Sequence, residues 1–202
     1  MTLPLQVGIT GGIGSGKSVV CQLFSCLGIP VYNADNRAKW LTNNDLTVRE
    51  RVIALLGNNA YTDTGSYNTA YVSSIVFKDE NLLKALNAII HPVVMQDTAD
   101  WVRNNHQSPY VLKEAAIMNK AGDHNSLDYV VVVEAPVALR VKRILQRDQR
   151  SEEQIRAIIE RQVSDEERRK LADFIVLNDE KSALIPQVMK LHEIFKSGRK
   201  SS

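Results

Sequence analysis

A chain of 202 residues, 44% apolar and 24% charged, has room for one α/β domain with inserts and a sizeable core. A formal net charge of +2 is too small to mark a nucleic-acid partner. The two cysteines, Cys21 and Cys26, lie five residues apart on one predicted helix and point different ways, which excludes a ready mutual disulfide, and neither has metal-ligand spacing. The first residues lack the basic region and long apolar stretch of a signal peptide, and no apolar run reaches membrane-spanning length. A reduced, cytoplasmic setting without a membrane partner is the expectation. The chain shows no internal repeat and no low-complexity segment.

The apolar run Leu5-Gln6-Val7-Gly8-Ile9-Thr10 reads as a buried strand. Directly after it, Gly11-Gly12-Ile13-Gly14-Ser15-Gly16-Lys17-Ser18 fills every fixed position of the phosphate-loop pattern G-x-x-x-x-G-K-[ST]. A helix is predicted from Lys17 to Leu27, with Val20, Leu23, Phe24 and Leu27 on one face. The glycines let the backbone turn around an anion, and successive N–H groups then point at phosphate oxygens with the helix dipole behind them. In this pattern Lys17 reaches the β- and γ-phosphates of ATP and Ser18 holds Mg²⁺. The N–H groups of Ser18 and Val19 face the inner phosphates. A glycine turn that binds nothing is the alternative, and the strand before it and helix after it weigh against that.

Gly28-Ile29-Pro30 ends the helix, and Pro30 to Asn33 reads as a second strand delivering Asn33-Ala34-Asp35. A carboxylate at the C-terminal end of such a strand lies where ligands bind in open α/β sheets. Asp35 can take a proton from a substrate hydroxyl or sit near Mg²⁺. Equally, it can cap a helix starting at Asn36. From Arg37 to about His106 the pattern is helical: Leu46 to Leu56 ended by Gly57, a polar loop from Asn58 to Asn68, then Tyr71 to Phe77 and Leu82 to Ile90. His91-Pro92 reads as a break before Val93 to Val102, where Trp101 is an apolar anchor. The block lacks strands and reads as a helical insert over the sheet's C-terminal edge, a place to hold an acceptor.

Tyr110 to Lys113 is the third strand, ending at Glu114, which stands where an acid approaches Mg²⁺ or where it would simply oppose a helix dipole. Asn119-Lys120-Ala121-Gly122 fails as a guanine-reading motif, because Asp123 comes one residue late. Asp128 to Glu134, with its run of valines, reads as a strand covered on both faces. Ala135-Pro136 opens a helix through Leu139, Val141 and Ile144. Between Arg140 and Lys170 stand ten basic residues against seven acidic, most of them on solvated faces. Arg147 to Ser151 is a polar hinge, followed by a cap and first-turn acids in Ser151-Glu152-Glu153-Gln154. A helix–hinge–helix rich in arginine suits a lid that closes over a transferring phosphoryl group. Ala172 to Asn178 is a fifth strand. Lys181 to Phe195 is a closing helix with Leu184, Ile185, Val188, Leu191, Ile194 and Phe195 inward. The alternation predicts an α/β three-layer fold of the P-loop NTPase type on a five-stranded parallel sheet.

Taken together, VGITGGIGSGKS at 7–18, YNAD at 32–35, LNAIIHP at 86–92, LRVKRILQRDQRSEEQ at 139–154 and RQVSDEERRKLADFIVLND at 161–179 resemble bacterial dephospho-CoA kinases over about Leu5 to Phe195. The resemblance implies one P-loop kinase domain over 4–197, with a CoA-side helical insert at 37–106, a lid at 146–166 and a disordered tail at 198–202. It implies transfer of the ATP γ-phosphate to the ribose 3′-hydroxyl of dephospho-CoA, with ATP-binding roles for Gly12, Ile13, Gly14, Ser15, Gly16, Lys17, Ser18 and Val19. The family's proposed base falls on Asp35. Its basic lid positions fall on Arg140 and Arg147, with Arg143 a weaker match, and its acceptor signature falls on His91. Lys17, Asp35, Arg140 and Arg147 are thus the expected catalytic set, and Ser18 and Glu114 the expected Mg²⁺ set.

Two positions depart from the family. Asn33 replaces the first Asp of Asp-x-Asp, and Lys120 stands where a Glu is usual. Asn33 can hydrogen-bond but cannot act as a base. A monomer or weak homo-oligomer is expected. Two other readings stand beside this one: a kinase for another small nucleotide or nucleoside, and a regulatory NTPase that hydrolyses. The second would want a water-positioning residue and a basic face, and the sequence offers neither.

Overall fold

The computed structural model describes residues 2–198, so the tail expected to be disordered lies, beyond Gly198, outside the described residues. By internal contacts the chain forms two compact units, one taking the chain up to Asn33 and from Val102 onward, the other Ala34–Trp101. The second unit overlaps the expected insert at 37–106 but starts at Ala34 and ends at Trp101.

The first unit is built on a five-stranded parallel sheet of β1 (Leu5–Thr10), β2 (Val31–Asn33), β3 (Tyr110–Glu114), β4 (Tyr129–Glu134) and β5 (Phe174–Leu177). The order is β2-β3-β1-β4-β5, so β1 lies in the middle, between β3 and β4. Every residue of β1 is buried, Gln6 and Thr10 included, as suits a central strand covered on both faces. Helices α1 (Lys17–Cys26) and α9 (Leu184–Lys196) cover one face. There Phe24, Tyr110, Tyr129 and Phe195 pack with Val7, Ile9, Val131 and Val176. The ring of Phe195 stacks on Tyr129 at 5.6 Å and meets Tyr110 edge-on at 5.4 Å. On the other face Leu127, Val130 and Val132 form a smaller core with Met118. Cys21 is buried and Cys26 exposed, and both are free thiols.

The register sets the edge that matters. Asn33 of β2 stands opposite Glu114 of β3, and Glu114 stands opposite Ile9 of β1, so the three strands finish level. On the far side of β4 come α6 (Val137–Arg147), α7 (Glu152–Arg161) and α8 (Asp165–Arg169). Ser151 caps α7 in a full capping box with Gln154, as its sequence announces. In α9 the expected inward face holds for Val188, Leu191 and Phe195, but Ile185 is 63% exposed. The helix begins only at Leu184, so Ile185 falls in its first turn and faces water.

The second unit comprises α2 (Ala34–Asn44), α3 (Leu46–Leu56), a 3₁₀ turn (Asn58–Ala60), α4 (Thr69–Val76) and most of α5 (Glu80–Asn104). Asp45 caps α3 through the Val48 N–H, and Asn68 caps α4 through the Tyr71 N–H. Val48, Val52, Leu56, Val72, Val76 and Leu86 form its core. The expected break at His91-Pro92 does not occur, because α5 runs through Pro92. Proline there withholds one N–H from the Ala88 carbonyl. Ala88 and Pro92 both lie on the exposed side, where water can serve that oxygen. Buried Leu86 and Val102, on either side, keep the long helix anchored.

Candidate active site

The loop between β1 and α1 is shaped by glycines in the left-handed region, Gly14 at φ 77° and Gly16 at φ 93°. Gly16 is the N-cap of α1. No side chain caps that end and no acid sits in its first turn, so the positive end of the dipole is left for an anion. A turn bond from the Ser15 N–H to the Gly12 carbonyl, 3.1 Å, keeps the loop tight. Lys17 Nζ donates to the Gly11 carbonyl at 2.9 Å and so spans the loop it serves.

Neighbouring side chains hold the loop. Asn178, just beyond β5, donates Nδ2 to the Ser15 carbonyl at 2.8 Å. Its own Oδ1 and carbonyl oxygen accept from Arg143 Nη2, each at 3.1 Å. A Cβ on Gly16 would fall 2.1 Å from Asn178 Nδ2, and one on Gly12 would fall 2.4 Å from Arg140 Nη2. The close approach alone requires the glycine at 12, and at Gly16 it acts together with the positive φ.

At the level strand ends, Ser18 Oγ donates to Glu114 Oε1 at 2.9 Å and Asn33 Nδ2 donates to Glu114 Oε2 at 2.8 Å. Glu114 is only 7% exposed. The two residues expected to serve a cation, Ser18 and Glu114, are therefore in direct contact, and Asn33 completes the group. A hydroxyl and a carboxylate are oxygen donors of the kind a hard divalent cation takes. Among the described residues no three His, Cys, Asp or Glu side chains converge on a metal site.

A family model described as Dephospho-CoA kinase matches residues 5–183. The chain belongs to this family. A dephospho-CoA kinase from Porphyromonas gingivalis is 38% identical over 199 residues, covering 96% of each chain. A solved protein from Thermus thermophilus superposes with a TM-score of 0.81 at 28% identity, over 97% of this chain and 98% of its own. The solved dephospho-CoA kinase of Campylobacter jejuni shares the fold, with a TM-score of 0.62 at 23% identity over 98% of this chain and all of its own. In this dephospho-CoA kinase family member, then, the sheet and phosphate loop are those of a P-loop kinase.

The family's expected site residues fall in different surroundings. Asp35 lies in the first turn of α2, which starts at Ala34, so it is not the cap of a helix beginning at Asn36. His91 is exposed in the middle of α5, in the second unit. Arg147 is exposed on the hinge, bonded to Asp148 at 3.0 Å. That bond, with Arg150 adding its charge, holds the Asp148 carboxyl below its ordinary range. Lys120 is exposed.

Arg140, matched to a basic lid position of the family, is not on a solvated face: its residue is 2% exposed. Its Nε donates to the Ile13 carbonyl at 2.9 Å, and its Nη1 is paired with Asp165 at 3.0 Å. Its length lets the guanidinium pass from α6 to the underside of the loop, where carbonyls and Asp165 neutralise it. Arg140 braces the loop. Sequence reasoning missed Asn178, Asp165 and Gln162, whose Oε1 accepts from the Ile13 N–H at 2.9 Å. Their only signal was a polar residue at a strand end and a place in the quoted distal run. A cavity of about 250 Å³ opens beside them at the ends of β4 and β5, lined by Glu134, Ala135, Pro136, Leu177 and Asp179 among others.

Proposed function

We propose that this chain transfers the γ-phosphoryl group of ATP to the ribose 3′-hydroxyl of dephospho-CoA, giving coenzyme A and ADP. The observation that carries the reading is the phosphate loop of a family member, with the Ser18 hydroxyl seated on buried Glu114. Loop N–H groups and the α1 dipole hold the polyphosphate. Lys17 leaves the Gly11 carbonyl to neutralise charge spreading over the transferring group. Mg²⁺, when bound, supplies Lewis-acid polarisation of the phosphoryl oxygens. Ser18 would be its protein ligand, with Glu114 fixing the hydroxyl and adding negative charge behind it.

Asp35 is the base that accepts the 3′-hydroxyl proton, a role supported by its place directly after a strand end and by the YNAD match. Arg147 is exposed on the hinge and its pairing with Asp148 is worth little there, so it can exchange that partner for phosphate oxygens. Closure of α7 would exclude water and favour transfer over hydrolysis. His91 is assigned to acceptor binding by the family match at LNAIIHP, without a chemical step of its own.

The test is a coupled assay of ADP release from ATP and Mg²⁺, with and without dephospho-CoA, followed by mass analysis of the acceptor. ADP that appears only with the acceptor, together with a gain of one phosphate, is the expected result. ADP release indifferent to the acceptor would make the chain a hydrolase.

A further inference from the structure

The peptide of Ile13, at the tip of the phosphate loop, is gripped from both sides. Its N–H donates to Gln162 Oε1 at 2.9 Å, and its carbonyl accepts from Arg140 Nε at 2.9 Å. Its side chain enters a small apolar cluster of Val141, Ile144 and Ile155, drawn from α6 and α7. Gln162 is the residue that closes α7. Immediately beyond it, Asp165 pairs with Arg140 and with Arg168 Nη1 at 2.6 Å, and Arg168 Nη2 donates to the Val163 carbonyl at 2.7 Å.

These ties differ in strength. Arg140 and Arg168 are 2% and 5% exposed and share one carboxylate, so parting them would strand buried charge. Gln162 is neutral, half-buried, and makes a single bond to the loop. A neutral hydrogen bond of this kind is worth only about a two- to tenfold factor in an equilibrium constant, small enough to break and re-form as α7 moves. The carboxamide is therefore the releasable contact in an otherwise permanent brace.

We propose that Gln162 is a positioning residue that latches α7 to the Ile13 peptide, so that the shape of the phosphate cradle and the attitude of the lid are set together. The proposal rests on the reading of the loop as the ATP cradle. A nucleotide that orders the loop then favours the latched lid, and by linkage the latched lid favours the nucleotide. Gln162 acts through Ile13 and need not touch the substrate.

Amide hydrogen exchange on the full chain tests this with two variants. Gln162→Leu keeps the size and removes the acceptor, whereas Gln162→Glu keeps an acceptor at the same reach. Without nucleotide, Gln162→Leu is expected to exchange faster at 12–14 and across 148–162, with β3 and β4 unchanged, and Gln162→Glu is expected to restore protection at Ile13. With ATP, the wild type gains protection in both segments, and Gln162→Leu gains it in the loop only. The KM for ATP of Gln162→Leu rises about fivefold, the equivalent of one hydrogen bond. Unchanged exchange at 12–14, faster exchange throughout the sheet, or ATP protection of 148–162 that survives in Gln162→Leu would each overturn the proposal. Failure of the wild type to bind ATP would instead defeat the functional reading, and the nucleotide-free comparison would still judge the latch.

Discussion

Replacing Glu114 by Gln separates a structural strut from a cation-supporting carboxylate. Glu114 accepts from Ser18 at 2.9 Å and from Asn33 at 2.8 Å while 7% exposed. In Glu114→Gln the remaining oxygen accepts from Asn33. The new amide donates to Ser18 Oγ, which turns its own hydrogen away. Each bond passes from about 1.5–3 kcal/mol with a charged partner to about 0.5–1.5 kcal/mol without one, so the pair loses about 2 kcal/mol. Relief from burying a carboxylate returns part of this. The net loss is about 0–2 kcal/mol, a fall in Tm of at most about 8 °C for a chain of this size. Function should suffer more, since removing a carboxylate that orients a metal ligand costs about 10–100-fold in metal affinity or activity. The assay pairs thermal unfolding with kcat measured across Mg²⁺ concentrations. A Tm near wild type with a half-saturating Mg²⁺ raised about 10–100-fold is expected. An unchanged Mg²⁺ dependence with a lowered Tm would refute the reasoning and leave Glu114 a strut.

Three further outcomes are expected. Asp35→Asn should lower kcat about 100-fold or more while leaving ATP affinity, followed by titration with a fluorescent analogue, near wild type. Near-normal turnover would remove Asp35 as the base. Gly16→Ala should abolish ATP binding and lower Tm, since its φ of 93° costs a side chain about 1–2 kcal/mol and its Cβ would collide with Asn178 Nδ2. Burial pushes the Cys21 thiol up to about 12, with the Glu114 charge adding to the effect. At pH 8 it therefore stays protonated, and a thiol reagent should titrate only Cys26 in the folded chain and both cysteines in denaturant.

The sheet was legible because its strands carry their own physics. The valines of β4 have no polar face to expose, β1 is read by Leu5, Val7 and Ile9, and a loop of four glycines between a strand and a helix has few other uses. The long helix through Pro92 was not legible. Proline propensity is local, whereas the anchoring of Leu86 and Val102 in packed surroundings is a tertiary gain that local signals omit. The burial of Arg140 was hidden for a related reason. An arginine in a basic stretch reads as solvated, and only packing shows that its partner is Asp165. Gln162 carries no charge and no spacing rule, so beyond its place in the distal run nothing in the chain pointed to its bond with Ile13.

The central place of β1 has a consequence for how the molecule is made. Both of its sheet neighbours lie far along the chain, β3 starting at Tyr110 and β4 at Tyr129. The Gln6 N–H awaits Asp128, 122 residues on, and Thr10 awaits Ala116, 106 residues on. At about 5–20 residues per second the interval is about 6–25 s. For that time a strand carrying Leu5, Val7 and Ile9 and the phosphate loop after it have no sheet to join. The nascent chain should therefore be a client of holding chaperones, and nucleotide should have no power to stabilise it until β4 has emerged.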